Sequence, residues 1–444
     1  MSLQPRGRPT RRRRESSCRH RQGLPRRSSA IPSAICYLRS MAAVLLASAA
    51  MPGSAAEAPP YTALLHQSLA HAPALREQAA NVGAAGADAA QAGAWLNPRV
   101  DTVFENLGAP QSGGVSQRQN TYTITQPLEI GGKRGVRIEA GQRSLAAAEA
   151  RERLARGTYA AELAVAYATA EAMLSRKALA AEDRVRASDD LRATRALVQS
   201  GKEAALRAAQ AQASVAAAQA AEQAATADAT QALERLAALA GSDEPYTTVS
   251  TSLLAVVSAA PAGSAKPDEA PAVLTAQAER DALNAQVQVE RKKWIPEIGV
   301  SAGLRRYGWT NASGYVVGVS ATIPLFDRND AATTAAMERA AAAEARLDGV
   351  RLEAAAARRS ALAQVVASEK RLAAAAEGEQ AASEAYRLGR IGYDAGKTSL
   401  IELLATRRAL FEAKGLTIDA RLARVRALAA LAQAEGRLAF EETP

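Results

Sequence analysis

The sequence has few cysteines, few histidines and few aromatic residues, and each scarcity excludes a kind of site. Cys18 and Cys36 are its two cysteines, and both precede residue 57. The rest of the chain therefore cannot form a disulfide or a thiolate metal site. It keeps two histidines, His66 and His71, which are too few for an all-histidine metal cage within one subunit. Aromatic residues make up only 4% of the chain, so a core of large side chains is not expected.

The basic character of the chain is confined to its first residues. Residues 1–56 carry eleven arginines against one acid, Glu15, and this segment accounts for the formal net charge of +10. The remaining residues have 44 basic and 44 acidic side chains. Because no net charge is left to neutralise phosphates, the composition argues against nucleic-acid binding.

An export signal is predicted over residues 1–56. The arginine-rich run leads into a short apolar stretch that begins at Met41, and small residues of the cleavage-site type follow at 52–56. The apolar stretch is too short to span a bilayer as a helix. The alternative is a basic arm that is kept in the mature protein. Cys36 precedes the apolar stretch, so it is not placed for lipidation after cleavage.

Proline is absent from two long blocks, residues 128–244 and 325–443. Both blocks are rich in Ala, Glu, Arg, Gln and Leu, which favour helices. Each has one clear interruption, at Gly201 and at Gly396, where glycine can end a helix. Helices over 132–199 and 330–393 would each be roughly 100 Å long at about 1.5 Å per residue.

Alternating sequence of the β-type precedes each helical block. In residues 298–305 and 315–323 every second side chain is apolar, and the segment between them contains turn residues. Residues 99–105 and 120–128 show the same arrangement with a noisier pattern. The sequence therefore predicts one β-hairpin ahead of each helical hairpin.

Three landmarks recur at a nearly constant offset, which indicates an internal duplication. The offsets are 198, 197 and 195 residues for the pairs Pro98 and Pro296, Pro127 and Pro324, and Gly201 and Gly396.

The predicted fold class is mainly α with β, a duplicated unit of a transmembrane β-hairpin plus a long α-helical hairpin. The predicted segments are a signal (1–56), an N-terminal helix (57–97), a β-hairpin (98–129), a helical hairpin (130–240), a connector (241–271), a helix (272–295), a second β-hairpin (296–325) and a second helical hairpin (326–444).

The hairpins suggest a membrane channel, because strands cross a bilayer only as closed barrels. A transmembrane strand needs about 9–11 residues, and we expect that length of all four strands. Four strands cannot close a barrel, since about eight is the minimum, so subunits would have to pool their strands. The alternative is a small soluble β-domain with one wet face.

These motifs resemble those of the TolC-type outer-membrane factors, the exit ducts of tripartite efflux pumps. The resemblance runs from about Tyr61 to the C-terminus and is most specific at residues 126–138, 323–330 and 393–407. The run at residues 128–134 is similar to the branch that serves heavy-metal pumps of the cobalt–zinc–cadmium type. Many family members carry a lipidated N-terminal cysteine, and this sequence departs from that pattern.

The resemblance implies a homotrimer whose pooled strands form one β-barrel in the outer membrane, continued by an α-helical barrel across the periplasm. It implies three kinds of partner: a periplasmic adaptor protein, an inner-membrane pump and outer-membrane lipid. The helix tips would contact the adaptor through Gly201, Lys202, Gly396, Lys397, Thr398 and Ser399. Plain helix capping without a partner is the alternative.

A second set of residues is predicted where strands pass into helices, at the boundary of membrane and periplasm. Glycines would turn the chain there, and two cations would lie near lipid head groups or an acidic neighbour. We interpret the set as structural rather than as handling substrate. Its members are Pro127, Gly131, Gly132, Lys133, Arg134, Pro324, Asp327, Arg328 and Asn329.

The predicted function is a passive outer-membrane exit duct for heavy-metal cations. The chain has no nucleotide-binding glycine loop, no Ser/His/Asp set and no metal-ligand cluster, so we expect no enzymatic activity, no catalytic residue, no cofactor and no resident metal. One alternative is the same channel with organic toxicants or polypeptides as cargo. The other is a periplasmic coiled-coil adaptor or scaffold.

Overall fold

The computed structural model describes residues 56–108, 114–255, 267–310 and 312–441. The predicted export segment, with both cysteines, lies outside these residues apart from Ala56. Within the described ranges, no helix combines the length and the apolar character needed to span a bilayer.

The secondary structure repeats one pattern twice, in which a helix, two strands and two helices follow one another. The elements are β1 (Ala56–Ala58), α1 (Tyr61–His71), α2 (Pro73–Ala92), β2 (Arg99–Glu105), β3 (Gln119–Leu128), α3 (Lys133–Gln199), α4 (Ala205–Ala240), β4 (Tyr246–Val249), a 3-10 turn (Pro267–Glu269), α5 (Pro271–Lys292), β5 (Glu297–Tyr307), β6 (Ser313–Thr322), α6 (Asp330–Asp394) and α7 (Leu400–Ala434).

All helices except α1 form one layer. The long helices α3 and α6 have 67 and 65 residues, or roughly 100 Å at about 1.5 Å per residue. Helices α2 and α4 pack along one side of α3, and α5 and α7 pack between α3 and α6. The order across the layer is therefore α2/α4, α3, α5/α7 and α6, which places α3 inside the layer and α6 at its edge.

The four long strands form one antiparallel sheet in the order β2-β3-β5-β6. Its register aligns apolar residues of all four strands on one face, because Val100 opposes Ile124, Ile124 opposes Ala302, and Ala302 opposes Val317. The neighbouring positions carry mainly Thr, Ser, Gly and charged residues, with Val103 and Val316 among them, and form the other face. The sheet therefore has one apolar and one polar face.

One strand is shorter than predicted. The 9–11 residues expected of every strand are reached by β3, β5 and β6, with 10, 11 and 10 residues, but β2 has only 7. Asn106, the residue after β2, has a φ of 58°, which belongs to a left-handed turn and not to extended backbone. The chain therefore leaves the sheet directly after the alternating residues 99–105 and does not reach the length expected of a transmembrane strand.

The N-terminal segment also differs from the prediction of one helix over 57–97. Two helices occupy it, and they meet at Ala72, which has φ −58° and ψ 130°. Pro73 follows, and the residue before a proline is driven out of the helical region. Before α1, the short strand β1 pairs in parallel with β4, within the segment predicted as a connector over 241–271.

The largest hydrophobic cluster described is an aromatic core. It contains Tyr61, Tyr159, Tyr167 and Phe440 with neighbouring leucines and alanines. The Tyr61 hydroxyl lies within hydrogen-bond distance of the carbonyl oxygens of Ala160 (3.0 Å) and Ala439 (2.8 Å) and shares its one proton between them. Because these contacts bring the end of the chain back onto α3, the C-terminal residues 435–441 do not continue the helical hairpin predicted over 326–444.

Candidate functional site at the two ends of the helices

The first helix tip is a glycine-terminated turn. Gly201 has a φ of 74°, and its N–H donates to the carbonyl oxygen of Val198 at 3.0 Å. The N–H of Lys202 donates to the carbonyl of Leu197 at 2.9 Å. This paired arrangement is a Schellman motif, which satisfies the last carbonyl groups of α3 and favours glycine at the left-handed position.

The second tip repeats the same geometry and adds a cap on the returning helix. Gly396 has a φ of 71°, and the N–H of Lys397 donates to the carbonyl of Gly392 at 2.8 Å. Ser399 then begins α7 with a capping box, in which its hydroxyl accepts from the N–H of Glu402 and its own N–H donates to the Glu402 carboxylate at 3.0 Å. Both repeats therefore turn the chain by glycine, but only the second caps its next helix with a side chain.

The fold brings the two tips together at one end of the protomer. Leu197 of α3 packs against a cluster formed by Tyr393, Leu400 and Leu403. The predicted tip residues lie at this end and are exposed, except for Thr398, which is half-buried. Among the described residues neither Lys202 nor Lys397 makes an ion pair, so both ammonium groups are free to meet another molecule.

A buried charge network lies next to this end, and sequence reasoning missed it. The Asp190 carboxylate on α3 is 1% exposed and binds two arginines, Arg407 of α7 at 2.9 Å and Arg390 of α6 at 3.1 Å. Arg407 also pairs with Asp183 at 3.3 Å and donates to the Ser214 hydroxyl of α4 at 2.6 Å. Burial raises the pKa of Asp190, and Arg407 and Arg390 oppose that shift. The network joins all four long helices, which no local sequence pattern reveals.

At the opposite end, the first strand-to-helix turn depends on two glycines. Gly131 and Gly132 have φ values of 66° and 77°, and a Cβ at Gly131 would lie 2.5 Å from the side chain of Ile295. The carbonyl oxygen of Gly131 accepts from Lys292 at 2.9 Å. Glycine is therefore required at 131 both by the left-handed backbone and by the close approach of the second repeat.

The two predicted cations at this turn contact protein groups. Lys133 lies 3.6 Å from the carboxylate of Glu297. The guanidinium of Arg134 lies 4.9 Å from the ring centre of Trp95, a cation–π distance, and its Nε donates to the carbonyl oxygen of Gly93 at 3.1 Å. The acidic neighbour predicted for this pair is present for Lys133.

The second turn replaces the glycine by asparagine. Asn329 has a φ of 62°, and its side-chain amide donates to the carbonyl oxygen of Glu290 (3.0 Å) and to the carboxylate of Glu290 (2.8 Å). The Asp327 carboxylate accepts from the backbone N–H of Asn329 at 3.0 Å. Asparagine tolerates the left-handed conformation, so Asn329 serves both as the turn residue and as a link to α5.

The other predicted turn residues occupy simpler positions. Pro127 lies in β3 opposite Gly299, Pro324 follows β6, and the side chain of Arg328 is exposed. Sequence reasoning missed Arg137, which donates to the carbonyl oxygens of Ala92 (2.8 Å) and Ala94 (2.9 Å) and also pairs with Glu129. Its place one turn after Lys133 and Arg134 was the available signal.

No cluster of three or more His, Cys, Asp or Glu side chains suited to a metal ion occurs among the described residues. The structure thus presents two polar ends, the tips and the strand-to-helix turns, and between them a helical layer without a candidate metal site in its described part.

The outer strands of the sheet and the outer side of α6 have no neighbouring element in the described chain. In the sheet, β2 and β6 each pair on one side only. On the apolar face of β6, Tyr315 and Val317 are 92% and 80% exposed. In the helical layer, α6 buries 6 of its 65 residues, whereas α3 buries 18 of its 67. Unpaired strand edges and open helix faces of this kind call for neighbouring chains.

The sequence matches the family model described as "Outer membrane efflux protein" over residues 64–242 and 267–437. It is 67% identical over 389 residues to the nickel and cobalt resistance protein CnrC of Cupriavidus metallidurans, covering 88% of this chain and 93% of that protein. It is 64% identical over 389 residues to the nickel-cobalt-cadmium resistance protein NccC of Alcaligenes xylosoxydans xylosoxydans, covering 88% and 89%.

Among solved structures, the fold is similar to the open state of the MtrE outer membrane channel of Neisseria gonorrhoeae. The TM-score is 0.74 at 22% sequence identity, over 86% of this chain and 90% of that chain. At this identity the likeness concerns the fold. It confirms the fold class predicted from the sequence.

Proposed function

The chain belongs to the outer membrane efflux protein family, and on this premise we propose that it is the exit duct of a tripartite pump that exports heavy-metal cations. The observation that carries the proposal is the four-stranded sheet with one apolar face, one polar face and two unpaired edges. A sheet of that kind becomes stable in a bilayer once its edges are paired and its apolar face meets lipid.

The sheet edges support closure by three copies. Joining β6 of one protomer to β2 of the next pairs every edge, and three protomers with four strands each supply twelve strands, an even number within the range of bacterial barrels. The apolar face would meet lipid, and the polar face, with Thr121, Ser301 and Arg305, would line the water-filled interior.

The helical edges support the same closure. The side of α6 that faces away from Leu347, its buried contact to α5, carries small side chains with one larger residue, Leu352. These residues are Ala342, Ala345, Gly349, Leu352 and Ala356. Small side chains let two helices approach closely. The α2/α4 edge of the next protomer would cover this side and extend the barrel by roughly 100 Å of helix.

The two polar ends take different partners in this proposal. Gly201, Lys202, Gly396, Lys397, Thr398 and Ser399 form the periplasmic tip that meets the adaptor, and two unpaired ammonium groups there suit acidic side chains of a helical hairpin. At the other end, Trp95 and Trp294 are 70% and 60% exposed. Tryptophans beside lysine and arginine are typical of the lipid head-group level.

Nickel and cobalt ions are the first cargo to test, because both relatives described above are named for resistance to them. The duct would conduct these ions in water, with selection in the pump. The test is deletion of the gene, followed by measurement of growth inhibition by nickel, cobalt, cadmium and zinc and by a panel of dyes and detergents. We expect higher sensitivity to nickel and cobalt, restored by the wild-type gene.

Two variants separate the parts of the proposal in the same cells. Lys202→Glu combined with Lys397→Glu should reach the outer membrane in normal amounts and yet fail to restore resistance, because its charge repels an acidic adaptor surface. Arg192→Glu, an exposed change elsewhere on α3, serves as the control. Sensitivity to dyes and detergents without sensitivity to metals would assign the duct to organic toxicants, and recovery in the soluble periplasm would contradict the duct itself.

A further inference from the structure

A groove of about 740 Å³ lies between α4 and α7, with α3 as its floor. Two arginines stand on its opposite walls, Arg235 on α4 and Arg426 on α7. Both side chains are exposed, and neither forms an ion pair with any residue that the structure describes. The floor offers Glu162 and two threonines, and the Thr158 hydroxyl accepts a hydrogen bond from Gln433 at 3.2 Å.

The groove floor at Glu162 lies on the side of α3 away from the segment that covers the aromatic core. Glu171 follows Glu162 by nine residues, which is two and a half turns at about 3.6 residues per turn and therefore the opposite side of the helix. The Glu171 carboxylate accepts from the backbone N–H groups of Leu253 (2.8 Å) and Leu254 (3.0 Å), which belong to the segment that packs on the aromatic core. The helical layer thus has a covered side and an open side.

The covered side must face outward if the chain is a duct, and this step rests on the proposed function. Helix α1, strands β1 and β4 and residues 438–440 all pack on the covered side. Three copies of that material inside a ring of helices would fill the passage. The open side, with Arg235 and Arg426, therefore faces the lumen.

We propose that this groove is an anion-binding site on the lumen wall, which takes small anions with carboxylate or phosphate oxygens. Guanidinium groups bind such oxygens through paired hydrogen bonds. The Thr158 hydroxyl adds a neutral donor, whereas the Thr169 hydroxyl already donates to the carbonyl oxygen of Val165. Glu162 is the only acid among the lining residues, so the groove keeps a net positive charge. A trimer would carry three such sites at one level of the wall.

The electrostatic potential in the groove can be measured by labelling one introduced cysteine with charged reagents. The chain suits this experiment because it has no cysteine after residue 36. Ala430→Cys in a Cys18→Ser/Cys36→Ser background places the thiol in the groove. The rates of reaction with a negatively charged sulfonate reagent and with a positively charged trimethylammonium reagent are compared. Their ratio cancels the effect of the arginines on thiol ionisation.

Replacing both arginines, as Arg235→Gln/Arg426→Gln, should lower this rate ratio by about tenfold, since charge steering acts on reactant encounter. Arg153→Gln is the matched control, because Arg153 lies nine residues before Glu162 and so on the other side of α3. It should leave the ratio unchanged. Citrate or inorganic phosphate should slow labelling by a neutral reagent in the arginine-containing protein and not in the double variant.

The outcomes separate the site from the duct. An unchanged ratio in the double variant, or no protection by either anion, overturns the anion site. Current through the trimer in a planar bilayer tests the lumen: modification of the introduced thiol should reduce it. A conducting trimer whose current does not respond removes the site from the lumen. A wild-type protein that does not conduct overturns the duct and the lumen position, while the labelling ratio still decides whether the groove binds anions.

Discussion

Helices α3 and α6 are copies in sequence position and length, yet the protomer buries three times as many residues of α3 as of α6. The difference follows from their places in the layer. Helix α3 has neighbours on both sides, and α6 has neighbours on one side. One repeat thus supplies the helix that packs on both sides within the protomer, and the other supplies a helix with one side left open in the described chain. Three predictions below compare the two repeats, at their shared charge network, at α3 and α6, and at their strand-to-helix turns.

The largest loss of stability is expected in the buried ion-pair network that connects the two repeats. Asp190→Ala removes the buried carboxylate that Arg407 and Arg390 share. The loss of one partner from a buried ion pair costs about 3–5 kcal/mol of the free energy of unfolding. Chemical denaturation of the detergent-solubilised protein measures it. Asp189→Ala is the neighbouring control, because Asp189 pairs with Arg192 at the surface, and it should cost less than about 0.5 kcal/mol.

If Asp189→Ala and Asp190→Ala destabilise the protein equally, the network does not join the repeats as described. Loss of trimer with an unchanged unfolding midpoint would also contradict it, because the network lies within one protomer.

A pair of leucine substitutions tests the contrast between α3 and α6 directly. Leu163 on α3 is fully buried, and Leu163→Ala should lower the free energy of unfolding by about 2–5 kcal/mol through the cavity it leaves. Leu352 on α6 is 74% exposed in the protomer. Leu352→Ala should change the unfolding of separated protomers by less than about 0.5 kcal/mol while it weakens the trimer on native gels. Equal costs for the two changes in separated protomers would remove the contrast.

The smallest effect is expected on the local stability of the strand-to-helix turns as the pH is lowered. Lys293, and then Asn329, hold the pKa of Glu290 below its ordinary value of 4.5. A lowered folded-state pKa contributes stability above the ordinary value, and this contribution is lost as the pH falls through the folded-state pKa. The second turn should therefore loosen in acid, whereas Gly132, the left-handed residue of the first turn, has no side chain to bond to a carboxylate.

Amide hydrogen exchange over residues 326–333, compared at about pH 6 and about pH 3, measures this loosening. Glu290→Gln is the control, since its side chain does not titrate, and its protection should show no such step between the two pH values. Equal acid sensitivity of the wild-type protein and of Glu290→Gln would assign the loosening to other groups.

Much of the fold could be predicted from local signals. The absence of proline and the glycines at 201 and 396 located both helical hairpins to within one residue of where α3 and α6 end, because helix propensity and capping act over a few neighbouring residues. The break between α1 and α2 has an equally local signal in Pro73, but one continuous helix over 57–97 was predicted there. The strands β1 and β4 gave no signal, since three and four residues are too few for a period to appear.

The sequence by itself determined the repeat, the positions of the long helices and the family. These depend on composition, spacing and left-handed turn positions, all of which are local properties of the chain. Only the tertiary structure decided the register that separates the two faces of the sheet, the meeting of Asp190 with Arg407 across 217 residues, and the unequal burial of α3 and α6. Each of these depends on which elements become neighbours, and in an Ala-rich chain many helix pairings look alike until the whole layer is formed.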